Sequence, residues 1–430
     1  MSGSRIPGFY KLELQQRHET LRSRFGLSDD EICLLQGQGA LDPGRADKMV
    51  ENCVGVFGLP LGLGLNFLVN GEDMIVPMAV EEPSVVAAVS NMARLVRSGG
   101  GFQADADPPL MIGQIQLLDV PDEHDATEAI LGAKRTILGE ADRVHPNMAK
   151  RGGGARDVEV QCFHVPEPML VVNLLVDCGE AMGANAINTM AEGIAPLLEQ
   201  LSGGRAHLRI LSNLADRRLA RAHCRIPVSE LSGPRYQGSA LAQGIVDAYR
   251  FAAVDPYRAT THNKGVMNGV DAVAIATGND WRSIEAAAHA YAARRGHYGS
   301  LTEWRFEDGY LHGFIELPMA VGVVGGSTQV HPTIRIAHKL MGFPSARQLA
   351  MVMAAVGLAQ NLGALKALAG EGIQRGHMSL HARSVALAAG AEGELVQRVA
   401  DQLVRDGNVK LDAAKALLDE LRQQAKEATA

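Results

Sequence analysis

The chain has 430 residues, which is enough for two or three domains with a substantial core. Its 47% hydrophobic and 21% charged residues are typical of a globular protein, and its net charge of -7 argues against a nucleic-acid or anionic-membrane surface. Because its five cysteines lack CxxC spacing and its amino terminus lacks the apolar segment of a signal peptide, we expect a cytoplasmic protein that crosses no membrane.

The first 109 residues predict one part of a helix-rich large domain. Ser28 and the acidic residues after it form a capping box that opens a helix, and Asp42-Pro43 predicts another. Residues 74–80 are apolar and strand-like. The next helix is predicted to begin at Pro83 and to end at the glycines after Ser98.

A second pattern begins at Leu110, after a segment rich in Asp and Pro that indicates a domain boundary. Two helices on a mostly antiparallel sheet predict an inserted split βαβ, ferredoxin-like domain over residues 110–216. No strand–GxGxxG–helix unit of the Rossmann type is present. The predicted strands are 110–118, 156–164, 169–177 and 206–212, and the predicted helices are 125–140 and 185–201.

The helical pattern of the large domain returns over residues 217–372, so this domain is expected to be discontinuous. A hairpin over 301–317 should turn at Asp308-Gly309. Residues 373–430 predict a helical C-terminal flap, with Asp412 as the N-cap of its last helix. The predicted fold class is therefore α+β. The helices predicted in the second part of the large domain are 239–253, 281–294 and 345–369.

One lysine, Lys264, stands among small and amide-bearing residues, and Asp280 follows sixteen positions later. A lysine held in this way can stabilise an oxygen that becomes negative during a reaction. For any such Lys/Asp pair, a surface salt bridge is the more ordinary interpretation. The lysine therefore indicates chemistry only if other segments do so as well.

Three other segments are informative. The first is Glu81-Glu82-Pro83-Ser84, in which Glu82 stands at the predicted start of a helix. Stabilisation of its negative charge by the helix amino terminus would be enough to explain a glutamate at this position. The segment 177–185 places small residues at a helix start, where backbone N–H groups can approach a phosphate. His377 and His381 are four apart; they are ordinarily surface residues, and a metal pair would need further ligands. We expect no metal.

Together and in this order, these segments resemble the 3-hydroxy-3-methylglutaryl-CoA (HMG-CoA) reductase family, in its soluble bacterial class, over about residues 41–383. The resemblance implies the interconversion of HMG-CoA and mevalonate plus coenzyme A by two successive hydride transfers. The alternative is another CoA-thioester reductase or an aldehyde-forming dehydrogenase on the same scaffold. A ligand-binding protein without activity is disfavoured, because competent residues fill all four catalytic positions.

The resemblance also implies roles for single residues. Lys264 would be the electrophile, Asp280 would orient it, Glu82 would donate a proton to the reduced carbonyl, and His377 would protonate the CoA thiolate. Arg258 is suited to clamp the free carboxylate of HMG. The substrate-binding residues that the resemblance implies are Ser84, Asn213, Arg258 and Asn268.

For the nicotinamide coenzyme, the resemblance implies a fold that is not of the Rossmann type. Glu180 stands where the family's DAMGAN motif usually has an aspartate. His145 stands where NADH-using members have an aspartate that accepts the ribose hydroxyls, with Arg143 and Asp142 nearby. We expect NADH to be preferred and NADPH to be accepted. The coenzyme residues are Glu180, Met182, Gly183, Asn185 and His145.

The family and the layout together predict a homodimer with active sites between subunits, which can assemble further into a hexamer. An inserted coenzyme domain and a tail carrying His377 must meet at one substrate, and a neighbouring subunit can help to complete that site.

Overall fold

The computed structural model describes residues 3–38, 41–165, 167–233, 236–326, 330–370 and 373–427, and their side chains apart from 373–380 and 425–427. In residues 3–109, which belong to the predicted first part of the large domain, Ser28 caps a helix in the predicted capping box. The elements of this part are α1 (Leu14–Phe25), α2 (Asp29–Leu35), α3 (Pro43–Ala46), β1 (Leu61–Val69), β2 (Glu72–Ala79), α4 (Val85–Ser98) and β3 (Gln103–Ala106).

The start of α4 differs from the prediction. The helix begins at Val85 and not at Pro83, because Ser84 has a left-handed backbone with φ of 81° and acts as the N-cap residue. Glu82 and Pro83 therefore lie in the turn that precedes the helix. This turn holds the Glu82 side chain beside the large domain's core helices and leaves Glu81 exposed.

The inserted segment contains a sheet of order β5-β6-β4-β7 in which every neighbouring pair is antiparallel, the arrangement of a split βαβ domain. The single helix predicted over 125–140 is wrong: two helices meet at Ala133, which follows Gly132 and is not helical. The elements are β4 (Leu110–Leu118), α5 (Glu123–Gly132), α6 (Lys134–Val144), α7 (Pro146–Lys150), β5 (Gly154–Phe163), β6 (Met169–Asp177), α8 (Ala184–Ser202) and β7 (Arg205–Ser212).

The chain from residue 217 onward, predicted as the second part of the large domain, adds three strands to β3 in an antiparallel sheet of order β3-β8-β10-β9. Its β9–β10 hairpin turns at Asp308 and Gly309, which both have positive φ, as predicted. The elements are β8 (Leu219–Pro227), α9 (Val228–Leu231), α10 (Gly238–Val254), α11 (Pro256–Ala276), α12 (Trp281–Ala292), β9 (Thr302–Glu307), β10 (Tyr310–Pro318), α13 (Pro332–Leu340) and α14 (Ala346–Ala369).

Helix α11 was not predicted from the sequence. Its Gly, Asn, Thr and His residues are weak helix formers, so burial between neighbouring elements stabilises it. The local signal for it is nevertheless present: Pro256 occupies the first helical position, and the Asp255 carboxylate accepts a hydrogen bond of 2.7 Å from the backbone N–H of Arg258. This helix carries Arg258, Lys264 and Asn268.

Helix α14 packs against α11 in the core of the large domain. It is long and apolar enough to cross a membrane by length and composition alone. However, 78% of its most apolar 18-residue window is buried inside the protein. Its apolarity is therefore that of a core helix.

The inserted segment and the tail each have an apolar cluster of their own, separate from the core of the large domain. The tail consists of α15 (Ile373–Ala388), α16 (Glu394–Arg405) and α17 (Leu411–Glu427). Asp412 lies in the first turn of α17 and is not its N-cap, because helical hydrogen bonding already begins at the carbonyl of Lys410.

Candidate active site

A lysine–glutamate pair joins α11 to the turn before α4. The Lys264 ammonium Nζ lies 2.8 Å from Glu82 Oε2, and the Asn268 amide, one turn further along α11, donates to the same oxygen at 3.4 Å. The two charged side chains remain 60% and 39% exposed. A pair this open to water is held weakly, so the ammonium can exchange its carboxylate partner for a ligand oxygen.

These residues line a cavity of about 520 Å³ together with Ser84 and Arg258. Burial lowers the pKa of Arg258, which is half-buried and remains a cation. No carboxylate among the described residues pairs with its guanidinium. A desolvated arginine without a partner, facing a cavity, is suited to bind an anion.

Asp280 and Asn213 form a second group that the structure does not bring beside Lys264 within one chain. The Asp280 carboxylate caps α12 and accepts from the backbone N–H groups of Arg282 at 3.1 Å and Ser283 at 3.3 Å. The Ser283 hydroxyl also donates to Asn213 Oδ1 at 2.9 Å. This group follows the carboxyl end of α11, which is about 18 Å along the helix axis from Lys264.

The predicted coenzyme segment connects β6 to α8. Gly183 is the N-cap of α8 with φ of 103°, and a Cβ atom there would lie 2.2 Å from Cys178 Sγ, so the turn requires glycine. Asn185 is exposed in the first turn, where N–H groups without helical partners attract a phosphate. The Glu180 carboxylate instead accepts from the backbone N–H of Ala346, at the start of α14, at 2.7 Å.

Arg218, which the sequence did not identify, anchors this segment to the large domain. Its buried guanidinium donates to the carbonyls of Ala181 at 3.3 Å, Met182 at 3.4 Å and Val321. Burial lowers the pKa of Arg218, yet its charge is partly offset by Asp177 and Glu180 nearby. The only feature of the sequence that could have identified Arg218 is that it is a charged residue directly before an apolar strand.

The same junction connects to the second group. The backbone N–H of Gly322 donates to Asn279 Oδ1 at 2.8 Å, and a Cβ atom at Gly322 would lie 2.4 Å from the backbone nitrogen of Met182. Asp280 is therefore on the side of the molecule where the coenzyme segment lies.

At the predicted ribose position, His145 lies between α6 and α7. Its Nδ1 atom is buried, and no described residue forms a hydrogen bond with it. Asp142 accepts from the backbone N–H of Ala155 at 2.9 Å, and Arg143 pairs with Glu140. The carboxylate of Asp142 is thus already engaged in holding the start of β5.

His377 lies in α15, but its side chain falls outside the described residues, whereas His381 is exposed. Within the described ranges, no group of three or more His, Cys, Asp or Glu side chains is arranged to hold a metal ion.

The known proteins that are similar to this chain belong to one enzyme family. A family model described as “Hydroxymethylglutaryl-coenzyme A reductase” matches residues 13–382. A 3-hydroxy-3-methylglutaryl-coenzyme A reductase of Archaeoglobus fulgidus is 50% identical over 421 residues, which cover 97% of this chain and 95% of the relative.

Solved structures of the enzyme from Streptococcus pneumoniae are also similar. One has a TM-score of 0.83 and 44% identity, and the match covers 96% of this chain and 99% of that chain. Another, a class II enzyme bound to NADPH in open conformations, has a TM-score of 0.82 and 45% identity over 85% of this chain and 99% of that chain.

Proposed function

This chain belongs to the hydroxymethylglutaryl-CoA reductase family of nicotinamide-dependent oxidoreductases, and we propose how its residues divide the interconversion of HMG-CoA and mevalonate plus coenzyme A. The observation that carries the proposal is the Lys264–Glu82 pair of 2.8 Å, in a cavity that also presents Arg258, whose guanidinium pairs with no carboxylate of the described residues.

Arg258 binds the free carboxylate of the HMG group in two-pronged fashion. Ser84 and Asn268, which line the same cavity, contact its remaining oxygens. The thioester carbonyl then lies near the middle of α11, within reach of Lys264. Succinyl-CoA and malonyl-CoA also carry a free carboxylate for Arg258 but lack the 3-hydroxyl group of HMG, so the contacts of Ser84 and Asn268 to that hydroxyl favour HMG-CoA over them.

Lys264 stabilises the oxygen that becomes negative at each reduction. Its ammonium moves from Glu82 to the substrate oxygen, a short displacement because both groups face the same cavity. Once the ammonium has moved away, Glu82 can take up a proton from solvent and donate it to that oxygen, whereas the exposed Glu81 is not involved. His377, brought in by the tail, protonates the thiolate of coenzyme A, a step for which an imidazole is suited near neutral pH.

The residues at the β6–α8 connection fit a dinucleotide. The glycine turn at Gly183 and the open N–H groups at the start of α8 provide a site for its phosphates, and Met182 and Asn185 border it. When bound, the nicotinamide coenzyme supplies the hydride. Arg218 holds the carbonyls of this segment inward, so that its N–H groups remain available.

Two subunits complete one site in this proposal. Lys264 lies about 18 Å along the axis of α11 from the helix end that precedes Asp280. A homodimer in which the Asp280 group of one subunit faces the Lys264 group of its partner brings all the predicted residues together. Such dimers assemble further into a hexamer, and the protein works in the cytoplasm.

We propose that NADH is preferred, with NADPH accepted and a discrimination below about tenfold. His145 lacks the negative charge that repels a 2′-phosphate, and Asp142 is engaged by Ala155. Strong selection for either coenzyme therefore has no basis in these side chains.

The decisive experiment follows nicotinamide oxidation spectrophotometrically with HMG-CoA, succinyl-CoA and malonyl-CoA. We expect turnover with HMG-CoA alone. Activity with the simpler thioesters but not with HMG-CoA would instead indicate another CoA-thioester reductase.

A further inference from the structure

The buried side of α11 carries a polar contact directly behind Lys264. Asn263 precedes Lys264 by one residue, so its side chain leaves the helix about 100° away. Its side chain is completely buried. While Lys264 faces the cavity, Asn263 faces the segment that follows α12.

That segment satisfies every polar atom of the Asn263 amide. Its Nδ2 donates to the Tyr298 hydroxyl oxygen at 3.1 Å and to the Gly299 carbonyl at 2.8 Å, and its Oδ1 accepts from the Leu301 N–H at 3.0 Å. A buried amide with all its hydrogen bonds made has a single favourable position, because any displacement leaves a polar group unpaired.

Tyr298 is itself held by α12. Its hydroxyl oxygen lies 2.7 Å from His289 Nδ1, and His289 Nε2 lies 2.6 Å from Glu285 Oε2, one turn earlier on the same helix. The hydrogen bond and the charge of Glu285 raise the pKa of His289. The pair therefore favours an imidazolium beside a carboxylate, an orientation that fixes the ring.

The chain of contacts returns to α11 at Asp271, about 12 Å along the helix axis from Asn263. Burial, and the hydrogen bond and charge of the neighbouring Glu285, raise the pKa of Asp271 to about 9. Its Oδ1 atom is buried without a hydrogen-bond donor among the described residues, which a neutral carboxyl tolerates better than a carboxylate. The raised pKa favours the protonated form of Asp271 at neutral pH, in which the carboxyl group can donate a hydrogen bond to Glu285.

We infer that Tyr298, His289, Glu285 and Asp271 are positioning residues for Lys264. Their hydrogen bonds tie α11 to α12 and to the segment after it at two points, Asn263 and Asp271, and so fix the rotation of α11. The 2.8 Å contact between Lys264 and Glu82 depends on that rotation. This inference rests on the proposed role of Lys264 as the electrophile.

The first test compares Tyr298→Phe with Tyr291→Phe. Each variant loses one hydroxyl group. The Tyr291 hydroxyl donates a hydrogen bond of 2.5 Å to Glu316, which is not part of this network. We expect Tyr298→Phe to lower kcat about tenfold through misplacement of the ammonium, with KM for both substrates within about twofold. Tyr291→Phe should lose comparable thermal stability but keep the wild-type kcat. A wild-type kcat in Tyr298→Phe, or equal losses in both variants, would overturn the inference.

The second test uses the proton on Asp271. Asp271→Asn is neutral and its amide still donates to Glu285, so its kcat at pH 7 should stay within about threefold of wild type, whereas Asp271→Ala should lose about tenfold. Equal damage from both substitutions contradicts a donating carboxyl group.

A third readout does not depend on turnover. The rate at which an amine-modifying reagent labels Lys264, followed by mass spectrometry, should rise in Tyr298→Phe and not in Tyr291→Phe. An inactive wild-type protein, or an active Lys264→Ala variant, refutes the proposed function. Unchanged labelling of Lys264 in Tyr298→Phe refutes the positioning network alone.

Discussion

Lys264 and Glu82 are 182 positions apart in the chain, yet their charged atoms are 2.8 Å apart. The contact requires α11 and the turn before α4 to pack side by side in the large domain, so it depends on the whole core. Its openness to water means that it adds little to stability. The contact instead keeps a cation and the carboxyl group of the proposed proton donor together beside the cavity.

Lys264→Ala should lower kcat by at least about 10²-fold, both with HMG-CoA and with free mevaldehyde, because each reduction passes through a negative oxygen. Thermal stability should not change measurably. Lys134→Ala, which breaks another partly exposed lysine–carboxylate pair of 2.6 Å, is the control and should remain fully active. Mevaldehyde reduction above a few per cent of the wild-type rate would contradict the role of Lys264.

The adjacent glutamates offer a matched comparison. Glu82→Gln keeps the shape and removes the proton donor, so kcat should fall by about 10²-fold or more. Glu81→Gln changes the same charge one residue earlier, on an exposed side chain, and should have almost no effect. Similar kcat values for the two variants would remove Glu82 from the mechanism.

Complementation tests the shared site. Lys264→Ala and Asp280→Asn subunits carry different tags, are inactive separately and are co-expressed. If each site takes Lys264 from one subunit and Asp280 from the partner, every heterodimer has one intact site, and a random mixture should recover about one quarter of wild-type activity. No recovery in purified heterodimers would show that both residues act within one chain.

The separation of Asp280 from Lys264 within one chain could not be predicted from their spacing in the sequence. A spacing of sixteen residues suggests neighbours, but α11 continues for twelve residues after Lys264, so Asp280 follows a helix end that is about 18 Å away along the axis. Because the glycine and asparagine residues of α11 have low helix propensity, this helix is not predicted from propensity alone. Only its first turn, with Asp255 and Pro256, indicates it locally.

Other parts of the fold follow from local patterns. The strands of the inserted sheet and the hairpin at Asp308-Gly309 were predicted because alternation and turn residues act over a few positions. Arg218 and the Asn263–Tyr298 contact could not be predicted, because their partners are carbonyls and hydroxyls distant in the sequence. The site motifs were identified by their resemblance to a family. Hydrophobic periodicity does not predict where these motifs lie relative to one another in the fold.

The raised pKa of Asp271 makes a prediction for stability. Between the ordinary carboxyl pKa and about 9, the folded protein retains a proton that the unfolded chain has released, so stability should fall as pH rises through this range. Asp271→Asn should flatten this dependence in denaturant unfolding at several pH values. The exposed Asp419→Asn substitution is the control and should leave the slope unchanged. An unaltered slope in Asp271→Asn would mean that Asp271 is ionised in the folded protein.

The last prediction concerns coenzyme choice. His145→Asp places a carboxylate where the adenosine ribose is expected, and it can accept the ribose hydroxyls while repelling a 2′-phosphate. We expect the ratio of kcat/KM for NADH over NADPH to rise at least about tenfold, equivalent to about 1.4 kcal/mol. In the wild-type protein this ratio should favour NADH by less than about tenfold.

His124→Asp introduces the same charge on the same inserted domain, at a side chain that is 80% exposed on α5, and is the control for long-range electrostatics. An equal shift in both variants would show that net charge, and not contact with the ribose, changes the selectivity. A wild-type advantage of about tenfold or more for NADPH would reverse the expected preference. In that case Arg143, released from Glu140, is a cation to examine as a 2′-phosphate partner, because it lies in the last turn of α6, two residues before His145.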